Sequence, residues 1–341
     1  MRRTTLLLTL TMASCAPQPL SLYIGTYGSH YYEATFSDGS LALGRAVDAA
    51  NPTFLCVGKD ALYSVSGMPE RPGAYSFLPD GTNSFIDCPG VSPCHITELA
   101  DGSHIATAEY SSGSLSVYDT EAGRITGIAE HLTFSPASHI HQLRYIPGTS
   151  WLLATDLGDD CIHVFAHGAS VPLEEIMTLR DGFAEGDGPR HMEFNPEKKM
   201  LYCICELSDN LQVFRYEFHD DMPSFRHLQT FKANPVDAGG SADIHLSPDG
   251  KFLYTSHRLA NDGIAAFKVL DDGTVEPAGY FNCGAHPRNF FITPDGEYML
   301  VACRDTHAVE VYAIDRESGA LSKVSETSFG EDKPCCIIEA H

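Results

Sequence analysis

The chain has 341 residues, 43% of them hydrophobic and only 20% charged, so it can bury a sizeable core and wholesale disorder is excluded. With 45 acidic residues against 22 basic, its formal charge of -23 repels phosphate backbones and anionic membrane surfaces, which excludes nucleic acid as a partner. Eleven cysteines with no CxxC pair are too sparse for a stapled secreted scaffold and are expected to be mostly reduced, packing as small hydrophobes.

The N-terminus reads MRRTTLLLTLTMASC: two arginines, an apolar stretch from Leu6 to Met12, then Ala13, Ser14 and Cys15. Those are the parts of a secretory signal, and Cys15 is similar to the acylated cysteine of a bacterial lipoprotein. The apolar stretch is too short to span a bilayer. This reading makes residues 1–21 a leader and tether, with membrane attachment only through a lipid at Cys15 in the cell envelope. The competing reading starts the chain at Met12, in the cytoplasm.

From Leu22 the chain is built of repeats. LYIGTYG forms a strand, and weak copies of a unit begin near Pro52 and Pro93. Strong copies follow: GPRHMEFNPEKKMLYCICELSDNLQVFRYE from Gly188, SADIHLSPDGKFLYTSHRLANDGIAAFKV from Ser241 and HPRNFFITPDGEYMLVACRDTHAVEVYAID from His286. The turn prolines Pro147, Pro196, Pro248 and Pro294 stand 49, 52 and 46 apart. Each unit holds two β-rich runs about a turn, a third run after a polar loop and a further strand, as in HLQTFKA from His227. Four strands in about 47 residues predict a propeller blade. The broken unit KPCCII ends the chain and predicts the inner strand of a seventh blade, completed by the strand at Leu22. Residues 22–341 are therefore expected to be one all-β, seven-bladed β-propeller.

Aligned units can be compared position by position. Five residues past the first apolar residue of the second run lies a strand end, occupied in turn by Tyr27, Gly67, Tyr110, Asp156, Glu206, Arg258 and Arg304. Repeats kept only for packing converge, whereas these diverge into aromatic, acid and base. A second variable position, six residues before each turn proline, holds His141, Arg190, Ala242 and Arg288, and the next residues are Gln142, His191, Asp243 and Asn289. Both sets are expected to ring one mouth of the central channel, with Asp156, His191, His245, Arg288 and Arg304 as further binding candidates. Cations gathered in so acidic a protein suit a small anionic ligand, which guanidinium forks can grip. His139 and His141 have same-face spacing for a metal, but no third ligand is recognisable. Neither metal nor cofactor is expected.

GDGPRH, SADIHLSPDGKFLYTSHR, HPRNFFITPDGEYMLVACRD and the closing KPCC resemble the lactonase family of seven-bladed β-propellers, from about Leu22 to the C-terminus. That family includes bacterial 6-phosphogluconolactonases and fungal carboxymuconate cyclases. The resemblance implies a metal-free site of one histidine, one glutamate and two arginines, which fall on His141, Glu206, Arg190 and Arg258. It implies a hydrolase of a sugar lactone, 6-phosphogluconolactone first. There Glu206 is expected as the base, the arginines hold the anionic group and the oxyanion, and His141 passes a proton to the leaving hydroxyl. A muconate-type cycloisomerase and a non-catalytic envelope binding propeller are the alternatives. Where the family carries Asn, this chain has Cys205 and His257, and the first unit has Gly67 at its strand end. The partner expected is a small anionic lactone, bound by a monomer or weak dimer.

Overall fold

The computed structural model describes residues 18–167 and 171–340, so Cys15 and most of the leader lie outside the described residues. Seven four-stranded antiparallel sheets stand as blades around a channel. Blade one combines Leu20–Thr26, His30–Ser37 and Ser40–Asp48 with the C-terminal Pro334–Glu339 as its inner strand, and blades two to seven follow in sequence as 55–87, 93–133, 140–179, 189–232, 241–282 and 287–328. The strand at Leu22 does pair with the one containing Cys335, in the register Leu22 with Glu339 and Ile24 with Ile337. Pairing the two ends of the chain within one sheet removes the exposed seam that an open ring would present.

Each blade buries apolar side chains against the next. Met200, Tyr202, Ile204 and Val213 of blade five pack on Ile244, Leu253, Ala265 and Phe267 of blade six, and equivalent clusters fill the other interfaces. The PDG turns place Gly250 and Gly296 at φ of +69° and +72°, where a Cβ would be strained. The ten described cysteines are all free.

One irregularity positions the site. In six blades the inner strand's pairing with its neighbour slips close to its start. The residues left out of the ladder include Cys94, His141, Arg190, Ala242, Arg288 and Cys335. A bulge bends the strand and re-aims its side chains, so these positions turn out of the sheets and into the channel.

Candidate active site

Five of the bulged residues, Cys94, His141, Arg190, Arg288 and Cys335, line a small inner chamber of the channel together with Thr53, which precedes blade two. Outward of it opens a cavity of about 360 Å³ lined by Tyr27, Asn51, Thr53, Tyr110, His141, Glu206 and Arg288, among others. Glu206 is its centre of charge. Arg190 Nε donates to Glu206 Oε2 at 2.7 Å, and Arg258 Nη2 lies 3.0 Å from Oε1, so each carboxylate oxygen holds one guanidinium. Both arginines are also braced from behind. Arg190 Nη1 donates to the Ala242 carbonyl, and Arg258 donates to the carbonyls of Gly240 and Ser241.

Arg288 differs from both. Among the described residues it makes no ion pair and no hydrogen bond with protein, and it sits over the Tyr27 ring at 5.4 Å. Three guanidiniums against one carboxylate leave the mouth net positive inside a strongly acidic protein. The charges act on one another. Burial pushes the Glu206 carboxyl up, but Arg258, Arg190 and Arg288 overcome it and hold its pKa at about 2. Burial, then Arg258 and Arg288, bring Arg190 down to about 10.

His141 faces the same space at only 3% exposure. Burial, then Arg190, hold its pKa well below the ordinary imidazole value, so it is neutral. Its Nδ1 is enclosed without a hydrogen-bond partner, and the edges of Tyr110 and His191 approach at 6.0 and 5.1 Å between ring centres. A carboxylate held at about 2 by two guanidiniums accepts a proton poorly at neutral pH, and the burial and Arg190 charge that keep His141 neutral weaken it as a base too. Glu206, expected as the proton acceptor, also fixes both arginines, and His141 is the other group at this mouth that could take a proton.

The sequence expectations for this mouth divide. His141, Arg190, Glu206, Arg258 and Arg288 come together. Gln142, His191, Asp243 and Asn289 do not ring the mouth: one step further along each inner strand, they form the channel's waist. There His191 Nδ1 bonds Asp243 Oδ1 at 2.7 Å and Asn289 Nδ2 donates to Asp243 Oδ2 at 2.6 Å, tying neighbouring blades together. His245 lies beyond the waist at the opposite mouth, in a separate cavity of about 470 Å³, paired with Asp243 and Glu193. Asp156 is fully buried and turns away from the channel. Its Oδ1 accepts from the backbone N–H groups of His139, Gly158 and Asp159, and Oδ2 meets His163. Arg304 stays at the lip, gripped by both oxygens of Asp305 and 5.6 Å from the Tyr27 ring. His139 stacks on Tyr110, with Nδ1 2.7 Å from the Tyr110 carbonyl oxygen, so it does not converge with His141 on a metal. Cys205 and His257 are both buried behind the strand ends that carry Glu206 and Arg258. His257 bonds Ser241 and Thr255, each at 2.8 Å.

Tyr27 and Tyr110 stood in the variable set but not among the predicted site residues. Thr53, Cys94 and Cys335 were missed altogether. The offset that found His141, Arg190 and Arg288 lands on Lys59, Ala100 and the final His341 in their units, where no proline marks the turn.

The sequence pattern of a family described as the seven-bladed β-propeller lactonases matches residues 21–338. A 6-phosphogluconolactonase of Formosa agariphila is 31% identical over 332 residues, covering 88% of this chain and 92% of its own length. A 6-phosphogluconolactonase of Klebsiella pneumoniae is 31% identical over 320 residues, covering 89% and 94%. A crystal structure of a Bacteroides fragilis protein, assigned as a 6-phosphogluconolactonase, superposes with a TM-score of 0.86 at 33% identity, covering 96% of this chain and 99% of its own.

Proposed function

The chain belongs to the lactonase family of seven-bladed β-propellers, and on that footing we propose that it hydrolyses 6-phosphogluconolactone to 6-phosphogluconate. It is a sugar-lactone hydrolase, a carboxylic ester hydrolase. The observation that carries the finer reading is the charge layout of the mouth: two guanidiniums committed to Glu206, a third on Arg288 left unpaired, and a neutral imidazole beside them.

The unpaired Arg288 takes the phosphate, where a charge-assisted contact is strongest. The lactone carbonyl then lies toward Arg190 and Arg258, whose donors are fixed before the reaction and stabilise the oxyanion as it forms. His141 accepts a proton from the attacking water, the ring C–O bond breaks, and the imidazolium returns that proton to the leaving ring oxygen. Burial and the neighbouring guanidiniums disfavour the imidazolium, which slows its formation and speeds its discharge to the leaving oxygen. The lactone is already labile in water, so help of about 100 to 10,000-fold from a positioned acid-base group suffices and no covalent nucleophile is required.

The test is hydrolysis of 6-phosphogluconolactone, unphosphorylated gluconolactone and a muconate, each against its spontaneous rate. Preference for the phosphorylated lactone supports the reading, and turnover of the muconate alone would replace it with cycloisomerisation. The address read from residues 1–15 is a separate proposal: acylation at Cys15 predicts detergent partitioning that Cys15→Ala abolishes. An exported enzyme would meet the unphosphorylated lactone instead.

A further inference from the structure

Away from the mouth, in the core between blades six and seven, two thiols and a carboxylate meet. Cys283 follows the outermost strand of blade six, Val275–Asn282, and Cys303 ends the strand Tyr298–Cys303 of blade seven. Their sulfur atoms and a carboxylate oxygen of Glu310 all lie within 4.8 Å of one another. The loop can approach this closely because Gly284 has no side chain. A Cβ there would stand 3.0 Å from Cys303 Cβ and 3.1 Å from its Sγ.

Two chemistries suit such a cluster, a thiolate-bound soft metal ion or a dithiol that oxidises. The carboxylate decides between them. Glu310 Oε1 already accepts from Lys323 Nζ at 2.6 Å, while Oε2 accepts from Tyr312 Oη at 2.6 Å and Gly284 N at 2.9 Å. A metal would have to strip those donors away, whereas a disulfide needs only the two sulfurs. Access follows the same division. Cys303 is fully buried, but Cys283 is partly exposed and can meet a reagent from solvent. Cys203 and Cys205 provide the contrast, since they are both fully buried on one strand at i, i+2, where disulfide geometry is poor.

We propose that Cys283 and Cys303 are an oxidisable dithiol, closed to a disulfide by low-molecular-weight disulfides. The Cys283 thiolate attacks one sulfur of the small disulfide and expels a thiolate; Cys303 then attacks Cys283 Sγ and expels the second. Two electrons pass from the cysteines to the reagent, and the two thiol protons go to the expelled thiolates. The Cys303 thiol is held high by its contact with Cys283 and then by burial, so Cys283 is the point of attack and Cys303 the resolving partner. The bond staples blade six to blade seven. It closes a segment carrying His286, whose Nε2 lies 3.4 Å from Arg258 Nη1, and Arg288 itself. Oxidation thus fixes one wall of the mouth, whatever lactone that mouth accepts.

The experiment treats the full-length protein with oxidised glutathione, then alkylates the remaining thiols and maps peptides by mass spectrometry. The expected product has lost the mass of two hydrogen atoms, yields a linked Cys283–Cys303 peptide, reverts with reductant and melts about 5 °C higher. Cys303→Ser should instead trap glutathione on Cys283. Full alkylation of both cysteines after oxidant, or linkage of either to another cysteine including Cys15, overturns the proposal. So does stoichiometric zinc that the protein retains and that shields both thiols.

Discussion

Replacing Arg288 separates phosphate recognition from the chemistry of the lactone ring. Arg190 and Arg258 are each bound to Glu206 and to backbone carbonyls, so they are held rigidly in place. Among the described residues, Arg288 has only the face of Tyr27. If it receives the phosphate, Arg288→Met keeps most of the side chain's bulk while removing a hydrogen bond to a charged group, a contribution of about 1.5 to 3 kcal/mol. That corresponds to a loss of about 10 to 150-fold in kcat/KM for 6-phosphogluconolactone. Unphosphorylated gluconolactone has no group there to lose, so its kcat/KM should change less than about threefold, within the scatter of an uninvolved surface position. The variant should also melt close to the parent, because Arg288 repels Arg190 and Arg258 but attracts Glu206. The assay is lactone hydrolysis for both substrates with the spontaneous rate subtracted, and a thermal melt on the same preparation. Equal losses on both lactones would mean that Arg288 acts at the reacting carbonyl, and unchanged kinetics on both would remove it from the site.

Glu206→Gln should depress catalysis and melting temperature together, since buried Arg190 and Arg258 lose their counter-charge at a cost of about 3 to 5 kcal/mol; a pure kcat defect with an unchanged melt would return the role of base to Glu206. His141→Gln should lower kcat by about 100 to 10,000-fold with KM nearly kept, and a wild-type kcat there would exclude the imidazole as proton acceptor. Acid should unfold the ring early. Burial depresses His191 to about 4 and His257 to about 3 from an unfolded value of 6.5, so each contributes stability above pH 6.5 that is lost as pH falls through that window. The expected slope approaches about 1.4 kcal/mol per pH unit for each histidine, and denaturant unfolding that is flat between pH 6.5 and 5 would contradict it. His245 runs the other way. Asp243 and Glu193 overcome its burial and raise it to about 9, so its contribution is complete below pH 6.5 and disappears as pH rises through 9.

The ring was legible in the sequence because a propeller is a local repeat. Proline-marked turns every 46 to 52 residues, β-rich runs about them and a truncated last unit leave little choice but seven blades closed by both termini. The strand ends were legible for the same reason: equivalent positions share a place in space, and divergence at Tyr27, Tyr110, Glu206 and Arg258 marked the rim. Periodicity could not show the slip of the inner strands. Alternation treats each residue as one further step along a regular ladder, whereas a bulge leaves one or two residues unpaired and swings them into the channel, as it does with His141, Arg190 and Arg288. The same geometry carried His191 to the waist and His245 to the far mouth, although one sits beside Arg190 and the other shares a strand with Ala242. Asp156 shows the limit most simply. Its place in the repeat is that of Glu206, but the N–H groups of His139, Gly158 and Asp159 and the His163 ring occupy its carboxylate, so it never reaches the channel. Which cation stays unpaired was equally beyond the sequence. Arg190, Arg258 and Arg288 are one residue type in three blades, and only the curvature of the ring brings Glu206 within reach of the first two and leaves the third free to meet a ligand.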